Sequence, residues 1–268
     1  MFSFEMKRAL VSKKYYISIL LGLILAVWHF IELRIRMNKS GDLHQPLIQA
    51  FIGGDYQTWI PQFYRLIVPL LSTIPFSWSY QEDYMSGYLR HVFLYKNKRR
   101  ALSVRYFVAF ILGGVASIFP LVCSLVLSAM KYPNQQPLVY RLLGGPESDA
   151  FLAETFYLHP IIFIFLYLIA MFLFGGVFAG IGLIIGAISD KRSVVLILPM
   201  ILVLYEEIIK MQHGNVLQQT KRTLRSMMDI QNGVQATYYF PLMAVLIIVP
   251  WIFFIVIGER KEVLGDAK

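Results

Sequence analysis

Six stretches of this chain are almost continuously apolar, and the segments between them are polar and largely basic. They cover residues 15–31, 60–80, 104–130, 160–188, 194–209 and 239–258. Within them the apolar positions follow neither the period of an amphipathic helix nor the alternation of a half-buried strand. A helix that crosses a bilayer needs about 20 mostly apolar residues, because the hydrocarbon core is about 30 Å thick. The pattern therefore predicts an all-α membrane protein with six transmembrane helices in a single domain over residues 1–268. The 194–209 stretch is the shortest. Helices are favoured over a membrane β-barrel, because the runs are continuous whereas barrel strands alternate apolar and polar residues.

Composition agrees with the pattern. Hydrophobic residues make up 57% and charged residues 15%, with mean hydropathy +0.59; soluble domains carry roughly 45–50% apolar residues. These values exclude a soluble enzyme, a disordered chain and a disulfide scaffold, and the lone Cys123 forbids an intrachain disulfide. The net charge of +9 gathers at the ends of the apolar stretches. Lys7, Arg8, Lys13, Lys14, Arg90, Lys96, Lys98, Arg99, Arg100, Arg105, Lys191, Arg192, Arg260, Lys261 and Lys268 fall on the side of both termini. Fewer fall opposite: Arg34, Arg36, Lys39, Lys131, Arg141, Lys210, Lys221, Arg222 and Arg225. This bias places both termini in the cytoplasm and the protein in the cell membrane. The basic charge then sets topology and attracts anionic lipid headgroups of the bilayer, at about 1 kcal/mol per residue; no nucleic-acid partner is expected.

Residues 1–14 predict a short interfacial helix, with Phe2, Met6, Ala9 and Leu10 on one face and Glu5, Lys7, Arg8 and Ser12 elsewhere. The 15–31 stretch ends without a small-x-small cleavage site and reads as a retained span. Between the second and third stretches, residues 81–105 are too polar to span. There Tyr84, Tyr88, Val92 and Tyr95 share one helical face. Glu82 and Asp83 come first and the bases from Lys96 to Arg100 last, an order that suits the helix macrodipole. This predicts a cytoplasmic helix able to meet a partner. On the other side, Leu217, Leu224, Met228 and Gln231 recur at helical spacing beside Lys221, Arg222 and Arg225, as in a surface helix.

Motifs of catalysis are missing. There is no Gly-x-x-x-x-Gly-Lys-[Ser/Thr] cradle for nucleotide phosphates, and no Gly-x-Ser-x-Gly elbow. His29, His44, His91, His159 and His213 never form His-Glu-x-x-His. We expect no catalytic residue, cofactor or metal in this chain. Glu206-Glu207 begins a Glu-Glu-x-x-x-Arg pattern of intramembrane proteases, but Met211 stands at the Arg position. Ionisable groups inside a span are costly and seek partners. Arg65 lies at about the depth of Glu206 and Glu207, which makes an ion pair between those spans the expectation, with snorkelling of Arg65 the alternative. Gly176, Gly180, Gly182 and Gly186 give small-x-x-x-small spacings in the fourth stretch and are candidates for close helix packing. Pro69, Pro75, Pro120, Pro199 and Pro250 predict kinks.

Three segments resemble the permease subunits of type-2 ABC exporters, the ABC-2 family. Phe4-Glu5-Met6-Lys7-Arg8-Ala9-Leu10-Val11-Ser12-Lys13-Lys14 resembles the family's connecting helix. Glu82-Asp83-Tyr84-Met85-Ser86-Gly87-Tyr88 followed by Lys98-Arg99-Arg100 resembles its coupling region. The glycine run after His159-Pro160, closing on Ser189-Asp190-Lys191-Arg192-Ser193, resembles its fourth span. The resemblance implies a permease that moves amphipathic or hydrophobic cargo, such as a peptide, drug or lipid. It implies two copies of a separate ABC-type ATPase, which bind the ATP and Mg, and a second permease, identical or homologous. It assigns ATPase coupling to Glu82, Asp83, Gly87, Tyr88 and Arg90. Two other classes share the apolar pattern: an ATPase-independent anchor or immunity protein, and an intramembrane enzyme depending on Glu206 or Glu207.

Overall fold

A computed structural model describes residues 1–40, 45–55, 57–95, 97–137, 146, 152–189, 191–212, 224–229 and 236–265. Among the described residues every regular element is a helix. In chain order these are α1 (Phe2–Leu10), α2 (Lys13–Ser40), α3 (Leu47–Ala50), α4 (Ile60–Thr73), α5 (Ser79–Met85) and α6 (Tyr88–Tyr95). There follow α7 (Lys98–Ala129), α8 (Ala153–Leu158), α9 (Pro160–Ile188), α10 (Arg192–Gln212), α11 (Leu224–Met228) and α12 (Ala236–Gly265).

Four helices hold segments long and apolar enough to cross a membrane: Lys13–Lys39 in α2, Lys98–Ala129 in α7, Pro160–Ile188 in α9 and Tyr239–Arg260 in α12. Their outward faces fit an integral membrane protein. Ile17, Leu20, Ile24 and Ile31 of α2 are about half exposed, as are Ile161 and Phe165 of α9. Water would penalise such stripes, whereas lipid tails accept them.

The two remaining apolar stretches fold differently from the simple expectation. The 60–80 stretch is not one helix: α4 has 14 residues, turns follow at 74–78, and α5 begins at Ser79. Pro75 has no N–H to continue the ladder. Around it Ile74 N–H still donates to Leu70 O and Ser77 N–H to Thr73 O, each at 3.2 Å, so the path bends without stopping. The 194–209 stretch lies in α10, whose 21 residues include Arg192, Glu206, Glu207 and Lys210. The third stretch is longer than expected. Its helix starts at Lys98, where the Asn97 side chain caps Arg99 N–H.

α9 is the hub. Its glycines lie where neighbours come close: a Cβ on Gly176 would sit 2.6 Å from the Phe110 ring, and one on Gly180 2.7 Å from Tyr106. One on Gly182 would stand 2.8 Å from Thr73 and Ser77. Gly186 approaches the Ser77 carbonyl, at 3.1 Å from such a Cβ. These contacts are within the chain, to α7 and to the α4–α5 path. Hydroxyl groups then reach backbone carbonyls across the packed helices. Ser77 donates to Ala179 O at 2.9 Å, Ser117 to Met171 O at 2.8 Å, Tyr64 to Ser117 O at 2.8 Å and Ser18 to Leu71 O at 2.8 Å. Bonds of this kind contribute about 0.6 kcal/mol each in a bilayer.

The bundle has two distinct ends. Ion pairs at one end join the start of α2 (Lys14) to α5 (Glu82), α5 to the start of α10 (Arg192), and the start of α7 (Arg99) to α12 (Glu259). At the other, Leu33 and Met37 of α2 pack with Ala50 and Tyr132, and Phe156 of α8 packs on Phe163 of α9. α2, the α4–α5 path, α7, α9, α10 and α12 thus alternate between the two ends.

Candidate functional site

α1, α5 and α7 meet at the first end through four charged side chains. α1 brings Glu5 and Arg8 one turn apart, α5 brings Asp83, and the second turn of α7 brings Arg105. Arg8 Nη1 donates to Asp83 Oδ2 at 2.7 Å, and Arg8 Nη2 donates to Asp83 Oδ1. Arg105 Nη2 reaches Asp83 Oδ2 at 2.5 Å and Glu5 Oε1 at 3.3 Å. Side-chain exposure is 2% for Glu5, 5% for Asp83 and 3% for Arg105, against 34% for Arg8.

Two guanidinium groups balance two carboxylates, so the cluster is neutral and tolerates burial that no single member would. The fork of Arg8 on Asp83 adds directional strength. That hydrogen bond raises the Arg8 pKa above its ordinary value, while partial burial acts in the opposite direction. The α1 face expected from sequence is therefore corrected. Ala9 is buried as foreseen, but it shares its buried side with Glu5, while Phe2 and Leu10 are exposed.

A second layer surrounds the cluster. Glu82 pairs with Lys14 at 2.6 Å and Arg192 at 3.5 Å. Tyr88 lies under Arg8, 5.3 Å from guanidinium carbon to ring centroid. Gly87 joins α5 to α6 with φ +74°, the left-handed region in which a side chain is strained. This turn splits the single helix expected over residues 81–105, so Tyr84 and Tyr88 lie on different helices. Lys98, Arg99 and Arg100, expected at the end of that helix, instead begin α7 behind the Asn97 cap, and Lys96 lies outside the described residues.

Of the residues assigned to coupling, Asp83 faces inward and Glu82 is engaged in ion pairs. Arg90 is exposed, as are Leu94 at 78% and Tyr95 at 83% exposure on the same helix. Neither the pairing of Asp83 with Arg8 and Arg105 nor that of Arg105 with Glu5 was expected from the sequence. The signals were present: Glu5 is the one acid in residues 1–14, and Arg105 opens an apolar stretch where a charge needs a partner.

Two further polar clusters are buried toward the opposite end. Arg65, 5% exposed, pairs with Asp229 at 3.2 Å. The sequence pattern points Arg65 toward Glu206 and Glu207 and does not point to Asp229; Glu206 accepts the N–H of Leu224 at 3.3 Å. The Glu207 side chain lies outside the described residues, as do Lys221 and Arg222 of the expected surface helix; Leu224 and Met228 are in α11. Asp229 lies between apolar stretches, where a charge in sequence gives no sign of a buried partner.

The other cluster is His29, Asp55 and Ser124. His29 Nε2 lies 3.2 Å from Asp55 Oδ2 and Nδ1 lies 3.1 Å from Ser124 Oγ. Asp55 also accepts Gln57 N–H at 2.8 Å, Thr58 N–H at 3.3 Å and the Thr58 hydroxyl. Ser124 Oγ accepts Ile52 N–H at 3.2 Å. The residue types are those of a catalytic triad, but His29 and Ser124 are fully enclosed. The arrangement ties Ile52, Asp55, Gln57 and Thr58 to His29 of α2 and Ser124 of α7. Among the described residues no three His, Cys, Asp or Glu side chains gather to hold a metal ion.

No protein-family model, curated protein or solved structure matches the chain.

Proposed function

We propose that this chain is the membrane-spanning permease subunit of an ATP-driven exporter of the ABC-2 type, moving amphipathic or hydrophobic cargo. In this reading all six helical paths cross the cell membrane, and both termini, α1, α5 and α6 face the cytoplasm. Two copies of a separate ATPase dock there, supplying the ATP and Mg, and a second permease completes the pathway.

The observation that carries the reading is the Glu5, Arg8, Asp83 and Arg105 cluster. It joins the two segments that the resemblance assigns to the cytoplasmic side, and does so on α7, which reaches across the bundle. Its roles divide by exposure. Arg90, Leu94 and Tyr95 of α6 form the face offered to the ATPase. Gly87 sets the elbow that aims α6, and Asp83 transmits displacement of that elbow to α1 and α7. Glu82 does not dock; it holds α5 against α2 and α10. ATP binding would favour one permease state only through contacts that differ between states.

The test is purification of the tagged chain from its native host in mild detergent, with stoichiometric companions identified by mass spectrometry. The expected companion is an ABC ATPase. Its yield should fall in Arg90→Glu and Leu94→Asp, while melting temperature stays that of the parent. Absence of an ATPase, when control complexes survive the same preparation, would overturn the reading in favour of an ATPase-independent membrane protein.

A further inference from the structure

An open groove lies between α5 and the start of α10, lined by Gln81, Glu82, Met85, Ser86 and Arg192. Gln81 is 5% exposed, and its carbonyl Oε1 has no hydrogen-bond partner. A buried acceptor left unpaired is costly, so a donor from a ligand would be favoured there.

The rim is cationic. Lys14 Nζ lies 3.8 Å and the Arg192 guanidinium carbon 5.8 Å from the centroid of the Trp78 ring. Both cations pair with Glu82, and two positive charges against one carboxylate leave an excess of one. The Arg192 side chain is 63% exposed and remains open to an anion. An indole flanked by cations is the composition found where hydrocarbon meets headgroups. From Trp78 an apolar strip of partly buried residues runs along the α4 path at helical spacing: Ile74, Leu70, Ile67 and Phe63.

We propose that this groove binds the headgroup of an anionic, hydroxyl-bearing glycerophospholipid of the phosphatidylglycerol type. Arg192 and Lys14 donate to the phosphate oxygens, the Gln81 side chain turns so that its Oε1, closed to solvent in this structure, accepts a headgroup hydroxyl, and an acyl chain lies along the strip on α4. Lipid at this position would brace α5 against α2 and α10, next to the buried ionic cluster. The proposal rests on the chain being embedded in a bilayer and is independent of any ATPase, so the two fail separately.

The experiment uses the full chain in mild detergent, titrated with phosphatidylglycerol, phosphatidylcholine, phosphatidic acid and soluble glycerol 3-phosphate, with binding read by native mass spectrometry and melting temperature. Phosphatidylglycerol should bind saturably and raise the melting temperature, and phosphatidylcholine should not. Arg192→Gln, a change at a largely exposed side chain, should weaken phosphatidylglycerol roughly tenfold. Gln81→Leu should abolish the preference for phosphatidylglycerol over phosphatidic acid, which has the phosphate without the hydroxyls. Equal binding of phosphatidylcholine, or unchanged affinity in Arg192→Gln, would overturn the site. Glycerol 3-phosphate binding as tightly as the lipid would overturn the lipid as its occupant.

Discussion

Arg105 shows how much one residue can depend on its partners. Its guanidinium contacts acids from two other helices and is almost wholly buried. Removing one member of a buried pair costs about 3–5 kcal/mol, because the remaining charge loses its compensation. Arg105→Met leaves Glu5 and Asp83 with Arg8 alone and should lower unfolding stability in detergent by about that amount. Adding Asp83→Asn should recover part of the loss by restoring charge balance. Thermal unfolding of the single and double variants is the check, and strictly additive losses would remove the coupling. The sequence marks Arg105 as a charge beginning an apolar stretch. It does not name Glu5, because pairing over 100 positions is settled by how α1 folds back on α7.

At the scale of elements, sequence pattern locates helices well and their interruptions less well. The apolar runs in α2, α7, α9 and α12 are unmistakable because a bilayer-length segment leaves little room for other periods. The α4–α5 path is different: its hydrophobicity continues through Pro75, while the missing N–H redirects the backbone. At Gly87 the composition predicts one helix, but a left-handed residue makes two. α1 depends on tertiary contacts more than on its own nine residues, since short isolated helices are marginal in water. Asp83→Asn removes the charge that Arg8 grips, so α1 should detach more often. Limited trypsin digestion should then cut after Lys7 and Arg8 several-fold faster than in the parent, while α7 remains resistant. Equal cleavage rates would show that the apolar contacts of Met6 and Ala9 hold α1 without the ion pair.

At the scale of the molecule, the order of helices places the exposed residues Ser3 and Ser86 at one end of the bundle and Asn134 at the other. If the bundle crosses a membrane as proposed, these ends face opposite compartments. In a Cys123→Ser background, Ser3→Cys and Ser86→Cys should react with an impermeant maleimide from one side only, and Asn134→Cys only from the other. Labelling of all three from the same side would contradict the six-crossing arrangement. The same test fixes which end is cytoplasmic, which the Lys and Arg bias predicts to be that of Ser3.

The sequence by itself determined the helical class, the bilayer-length segments and the small-residue spacing of the α9 glycines. These are local properties, set by the period and composition of a few consecutive turns. Only the tertiary structure decided that Asp83 faces Arg8 and Arg105, that Arg65 meets Asp229, and that His29 lies between Asp55 and Ser124. A charge or hydroxyl in an apolar segment announces that it needs a partner. Which partner it finds depends on how the helices align and rotate, and that is fixed by packing of the whole bundle, with the glycine face of α9 at its centre.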